Sequence, residues 1–178
     1  MSLEAVLKMA EACGFSHVGE LNVPALRFRQ EVREMCSADL CHNYGRCWTC
    51  PPHCGTLEEA AEKARKYQWG ILVQTTAELE DEFDVEVMMS TGDVQQERFY
   101  KLVELLREVY PNCLPMTCGG CKLCPKCSCP EAPCRFPDKA IPSMEAYGLV
   151  VSDTCTDSGM AYNYGKNTIT YTGCVLVD

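Results

Sequence analysis

Cysteine constrains this chain more than any other residue. There are 15 in 178 residues, and 12 of them fall in two short segments. Cys36, Cys41, Cys47, Cys50 and Cys54 form one group. Cys113, Cys118, Cys121, Cys124, Cys127, Cys129 and Cys134 form the other. Only Cys13, Cys155 and Cys174 stand apart, and residues 55–112 contain no cysteine. Regular helices and strands do not take thiols at such spacings. The chain must therefore build a scaffold from its other segments and carry the two groups on irregular loops, over 33–55 and 113–142.

The compartment decides what so many thiols are for. The N-terminus, Met1-Ser2-Leu3-Glu4-Ala5-Val6, has an acidic residue where a secretory leader needs Lys or Arg. No run approaches 18 consecutive apolar residues. A cytoplasmic protein is expected, and in that reducing setting metal ligands or redox groups outrank structural disulfides. The odd cysteine count points the same way. A formal net charge of −9 argues against nucleic acid and anionic membrane as partners, since both attract a positive field.

The remaining segments carry ordinary signals. Residues 3–13 place Leu3, Val6, Leu7, Ala10 and Cys13 on one helical face, and 16–21 suits a short strand. A helix is expected from about Pro24 to Met35, because Pro is tolerated in a first turn. Thr56-Leu57-Glu58-Glu59 has the pattern of a capping box, opening a helix to about Tyr67. Trp69–Thr76 reads as a buried strand. Asp93-Val94-Gln95-Gln96 reads as a second capping box, opening a helix with Phe99, Leu102, Val103, Leu106 and Val109 on one stripe and stopping at Pro111. Asn163–Asn167 reads as a hairpin turn. Thr168–Val177 alternates Ile169, Tyr171, Val175 and Val177, as a half-buried strand would. A single α+β (mixed α/β) domain over 1–178 with two inserted cysteine loops is expected.

In the second loop, Cys121-x2-Cys124-x2-Cys127 is the trio used by bacterial four-iron ferredoxins, with Cys134 as the natural fourth ligand. Short two-residue spacers let the backbone curl around a cubane. Pro125, Pro130 and Pro133 stiffen the loop and lower the entropy lost on ordering it. Structural zinc is the alternative, although zinc sites usually separate their ligand pairs by a dozen or more residues. A rival register, Cys113-x4-Cys118-x2-Cys121, opens like the plant-type two-iron spacing but leaves the later cysteines without a role. Cys118 and Cys129 are either alternative ligands or bystanders.

In the first loop, Cys36, Cys41 and Cys50 are expected to hold a second four-iron cluster, completed by Cys47 or Cys54. Zinc competes more strongly here because His42 and His53 lie among the thiols. Both histidines are expected beside the ligands or in solvent. Tyr44 and Trp48 read either as shields that keep water from a cluster or as plain core aromatics. Beyond the loops, Ser143 reads as an N-cap, with Glu145 near it as a group that faces a partner or tunes a cluster. Arg135 either offsets thiolate charge or is solvated. Cys155 and Cys174 read as buried small hydrophobes. Glu78–Asp84 reads as a solvated acidic face or a dock for a basic partner.

Taken together, several blocks resemble a family of predicted metal-binding proteins of anaerobes, domain of unknown function 2284. They are Arg33-x2-Cys36-x4-Cys41-x2-Tyr44-Gly45, Trp48-x-Cys50-Pro51-Pro52-x-Cys54-Gly55, Cys121-x2-Cys124-x2-Cys127, Cys134-Arg135-x-Pro137, Pro142-Ser143-Met144-Glu145-Ala146-x-Gly148, and Asn167-Thr168 with Tyr171–Leu176. The resemblance implies metal binding of the iron–sulfur type and makes Cys47, Cys118 and Cys129 variable positions. It implies no particular reaction.

The expected function is electron transfer by two [4Fe-4S] clusters. Each adds about −2, taking the protein from −9 to about −13 and suiting it to a redox partner with a basic docking surface. Two alternatives stand beside it. One is an enzyme with an open-site cluster acting on a small substrate. The other is a zinc-stabilised interaction module.

Overall fold

The computed structural model describes residues 1–178. Its frame is a pair of ten-residue strands, β2 (Trp69–Glu78) and β4 (Thr168–Val177), where β-branched and apolar residues concentrate. They pair antiparallel along their whole length, from Trp69 opposite Val177 to Glu78 opposite Thr168. Two short strands flank them: β1 (His17–Glu20) against β2 and β3 (Leu114–Met116) against β4. The sheet is antiparallel throughout, in the order β1-β2-β4-β3.

Alternation along the two long strands sends side chains into two cores. Ile71, Val73, Val175 and Val177 face α1 (Leu3–Ala12) and α4 (Val85–Val109), packing on Val6, Ala10, Phe99, Leu102 and Leu106. Leu72, Cys174 and Leu176 face the other way. They meet Leu21, Met116, Met144 and Leu149, with Ala60 and Ala64 of α3 (Leu57–Ala64). β4 is thus buried on both faces over residues 172–177, not half-buried as its alternation suggests. The approach of α4 is close: a Cβ at Gly173 would lie 2.7 Å from the Phe99 ring. Cys155 and Cys174 are fully buried, as small hydrophobes would be.

The capping box at Thr56 forms as the sequence indicates. The Glu59 N–H donates to Thr56 Oγ1 at 3.1 Å and the Thr56 N–H donates to Glu59 Oε2 at 2.7 Å. Four local expectations fail. The helix expected over Pro24–Met35 is a short 3₁₀ turn (Val23–Ala25), an extended stretch, and then α2 (Gln30–Cys36). The stretch is extended because Phe28 bridges Leu149 and the Arg29 N–H donates to Gly148 O at 2.8 Å, so tertiary pairing overrides propensity. The Asp93 pattern is no cap. α4 starts eight residues earlier at Val85, with Asp84 Oδ1 accepting from the Val87 N–H at 3.2 Å. Asp84 thus ends the acidic stretch as a helix cap, while Glu78, Glu80, Asp81 and Glu82 are exposed.

Asn163–Asn167 forms a turn, but no strand enters it. The chain arrives instead from α5 (Val151–Asp157). Tyr164 reaches back to donate to Gln74 Oε1 at 2.7 Å while stacking on His17. Ser143 Oγ does accept from the Ala146 N–H at 3.0 Å, yet it caps a turn over 143–148 rather than a helix. No helix of the protein is long and apolar enough to cross a membrane.

Candidate metal centres

Each cysteine loop leaves and re-enters the scaffold through a pinned neck. The first loop leaves at Cys36, the last residue of α2, and returns at Gly55, just before the cap of α3. Arg33 closes it: Nη2 donates to Gly55 O at 2.7 Å and lies 3.6 Å from Cys54 Sγ. The second loop leaves after β3 and returns at Pro142. There the Thr117 N–H donates to Pro142 O, and the Met144 N–H donates to Thr117 O, both at 2.9 Å. Closing a loop at its base removes most of the entropy its thiols would otherwise lose on converging.

The first loop arranges Cys36, Cys41 and Cys50 around a cavity of about 220 Å³, with Tyr44 and Glu145 on its walls. The far wall is the bare backbone of Gly119 and Gly120, from the second loop. The Cys54 S–H donates to Ala146 O at 3.7 Å, and its charge would be felt at Cys36. Cys41 is exposed, and so are Leu40 beside it and Met35 on α2. Tyr44 is a rim residue, not a core aromatic.

The second loop gathers Cys121, Cys124, Cys127 and Cys134 around a much tighter space, with Leu123, Phe136 and Ala140. One more thiol joins them from outside the loop. Cys47 shares this space, and its sulfur lies within reach of the Cys121 N–H. Cys47 and Cys50 are themselves neighbours, so the two thiol groups touch through that pair.

The remaining cysteines sort themselves by position. Cys113 is buried in the core with Ile141 and Leu106, which removes it from the loop and weakens the plant-type register. Cys118 lies close enough to Glu145 to feel its charge. Cys129 is buried and donates its S–H to Gly45 O at 3.9 Å, across the seam between the loops. That seam also holds the Trp48 Nε1–H, donating to Ala132 O at 3.0 Å, and Asn43 against Gly120. A Cβ at Gly120 would lie 2.5 Å from Asn43 Nδ2, so a larger residue there would displace the Asn43 side chain at the seam. His42 is exposed and His53 packs edge-on to Trp48. Arg135 donates to Lys126 O at 2.9 Å, tying the second loop to itself.

Burial holds most of these thiols above their ordinary value. Desolvation raises Cys36, with the nearby Glu145 adding to it, and pushes Cys118 up to about 11. Desolvation also raises Cys54 and Cys121; the Arg33 guanidinium opposes it at Cys54, and the Leu123 N–H opposes it at Cys121. The Cys47–Cys50 pair divides the effect: the Cys50 S–H and the Thr49 hydroxyl point at the Cys47 sulfur, lowering Cys47 and raising Cys50. A cation entering either space therefore displaces protons as it binds. No three His, Cys, Asp or Glu side chains converge as they would around a single ion.

Several residues that shape these sites escape a reading of the cysteine pattern. They lie on α4, on a stripe separate from its apolar one. Asp93 pairs with Lys122, and Gln96 Nε2 donates to Cys118 O at 3.0 Å and Gly120 O at 3.2 Å. Tyr100 reaches Cys121, Glu104 stands 3.6 Å from Lys139, and Arg107 donates to Asp138 O at 2.6 Å. Their spacing of three, four, four and three residues was the available signal: a polar face at helical period on an otherwise core-facing helix.

Two pinned loops, crowded thiols and a stiff scaffold define a cysteine-rich metal-binding protein. The chain belongs to a family described as predicted metal-binding protein (DUF2284), whose model matches residues 19–177. Neither the curated proteins nor the solved structures contain a match to it.

Proposed function

We propose that the protein carries two [4Fe-4S] clusters and relays single electrons between them and a partner enzyme. Cys36, Cys41, Cys50 and Cys54 would hold the first. Cys121, Cys124, Cys127 and Cys134 would hold the second, with Cys47 against it. Bound clusters supply reversible one-electron capacity at potentials set by their surroundings. The protein's part is to keep the two sites adjacent, to line the second with Trp48, Leu123 and Phe136, and to leave the first near the surface at Cys41.

The observation that carries this reading is the contact between the thiol groups at Cys47 and Cys50. Two sulfur-lined spaces side by side suit electron exchange, and a pair of purely structural sites has no need of it. Sulfur donors without histidine favour clusters over zinc. The acidic net charge supports docking on a basic surface. The cytoplasm of an anaerobe is the natural setting for such exposed thiols.

Purification without oxygen tests the proposal. A brown protein with about eight irons, matching acid-labile sulfide and EPR signals after dithionite reduction supports two clusters. A colourless protein with stoichiometric zinc and no sulfide overturns them.

One observation favours a second reading. The 220 Å³ cavity presents three thiols and the Glu145 carboxyl to a space large enough for a small molecule. An iron held there by only three cysteines would act on a substrate as a Lewis acid. Separate Cys47→Ser and Cys54→Ser variants that both retain full iron at the first site would support it.

A further inference from the structure

Among all buried side-chain oxygens and nitrogens, two lack a hydrogen-bond partner: the Tyr100 hydroxyl and the Thr117 hydroxyl. Buried polar groups are normally paired, so each exception calls for an explanation. Both stand beside a cysteine of the second loop, Tyr100 at Cys121 and Thr117 at Cys118. A protonated thiol is a weak acceptor. A metal-bound thiolate is a strong one, because a bond to an ionised acceptor is charge-assisted.

We propose that Tyr100 is a positioning residue of the second metal centre, its phenol O–H donating to the Cys121 sulfur once that sulfur is a metal-bound thiolate. Thr117 stands beside Cys118, which is outside that ligand set, and carries no such role here. The inference rests on the reading that the second loop holds a metal, and it extends the set of functional residues into the scaffold. Tyr100 cannot turn away to find another partner. It sits on α4 between Phe99 and Leu102, which are fully buried under the sheet. One turn earlier, Gln96 grips the carbonyls of Cys118 and Gly120 on either side of the chain leading to Cys121. The helix therefore sets the distance from hydroxyl to sulfur, and the loop follows. A donor fixed in this way withdraws electron density from the sulfur, which favours the reduced cluster and raises its potential.

Tyr100→Phe removes one oxygen and keeps the ring. In oxygen-free protein, an EPR-monitored redox titration should show one centre shifted to more negative potential and the other unmoved, with iron and sulfide content unchanged. Tyr110→Phe serves as a control, because its hydroxyl donates to Met1 O, away from the loops. If the protein holds zinc instead, the cluster reading fails but the inference is still tested by cobalt substitution. The sulfur-to-cobalt charge-transfer band should then move to lower energy in Tyr100→Phe. An unshifted potential or band in Tyr100→Phe overturns the inference, and so does an equal shift in Tyr110→Phe.

Discussion

The two cysteine loops solve the same problem by different means. The first is closed by a side chain, Arg33, and its thiols surround open space near the surface, with Cys41 exposed. The second is closed by backbone hydrogen bonds at Thr117 and gripped near both ends by α4, and its thiols line one tight space. A loop closed at its base by one guanidinium can yield there while the scaffold stays intact. A loop held by a strand end and a 25-residue helix yields only when the scaffold does. The contrast lies in how the loops are held rather than in burial, since Cys36, Cys50 and Cys54 are half-buried like Cys121, Cys124, Cys127 and Cys134, and only Cys41 is exposed.

The strongest way to break that contrast is to remove a ligand from the rigid side. Cys124→Ser is expected to lose the second centre, about half of the bound metal, while the first remains. Metal and sulfide analysis checks this. Loss of both centres would make the loops one cooperative unit. Cys47→Ser is the next largest. Cys47 belongs to the first loop by sequence but lies with Cys121 and Cys134 while touching Cys50, so the second centre's spectrum should change most and the first centre's less.

Arg33→Ala removes a hydrogen bond from a charged donor, worth about 1.5–3 kcal/mol. A chelator should then strip the first centre faster and leave the second at its wild-type rate, followed by absorbance. Thr56→Ala removes the cap that anchors the first loop's return and should cost about 1 kcal/mol, read as a lower urea midpoint with metal content unchanged.

The smallest effect lies beneath both loops. Burial raises the Cys174 thiol above its unfolded value of 9.0. Its contribution is complete below that value and is lost as pH rises from there through the folded value, because only the unfolded chain can then ionise it. The unfolding free energy from urea titration should fall between pH 8.5 and 10.5 by about a kcal/mol or more in wild type, and less steeply in Cys174→Ala. Equal slopes would remove Cys174 from the account.

Local signals disclosed the parts of the fold that local physics decides. β2, β4, α1 and the Thr56 cap follow from period and chemistry within a dozen residues. β3 was hidden, since three residues carry no periodicity and pair only because β4 is already in place. The start of α4 was misread because Asp93, Gln95 and Gln96 imitate a cap while serving distant partners: Gln95 with Thr75 and Val73, Gln96 with the second loop. The two cysteine groups were plain from spacing alone. Their contact was not, because Cys47 meets Cys121 across 74 residues of chain, a distance at which spacing says nothing.

The position of β4 bears on how the protein is made. This strand lies between β2 and β3, yet it follows both of them and both cysteine loops in the chain. Chains emerge N-terminus first at about 5–20 residues per second, so every thiol of both loops is outside before the strand that seats β3 arrives. During that interval the second neck has nothing to anchor it, and oxidants or stray ions compete for the sulfur. A nascent chain of this kind is best served by metal delivery that waits for β4 to emerge.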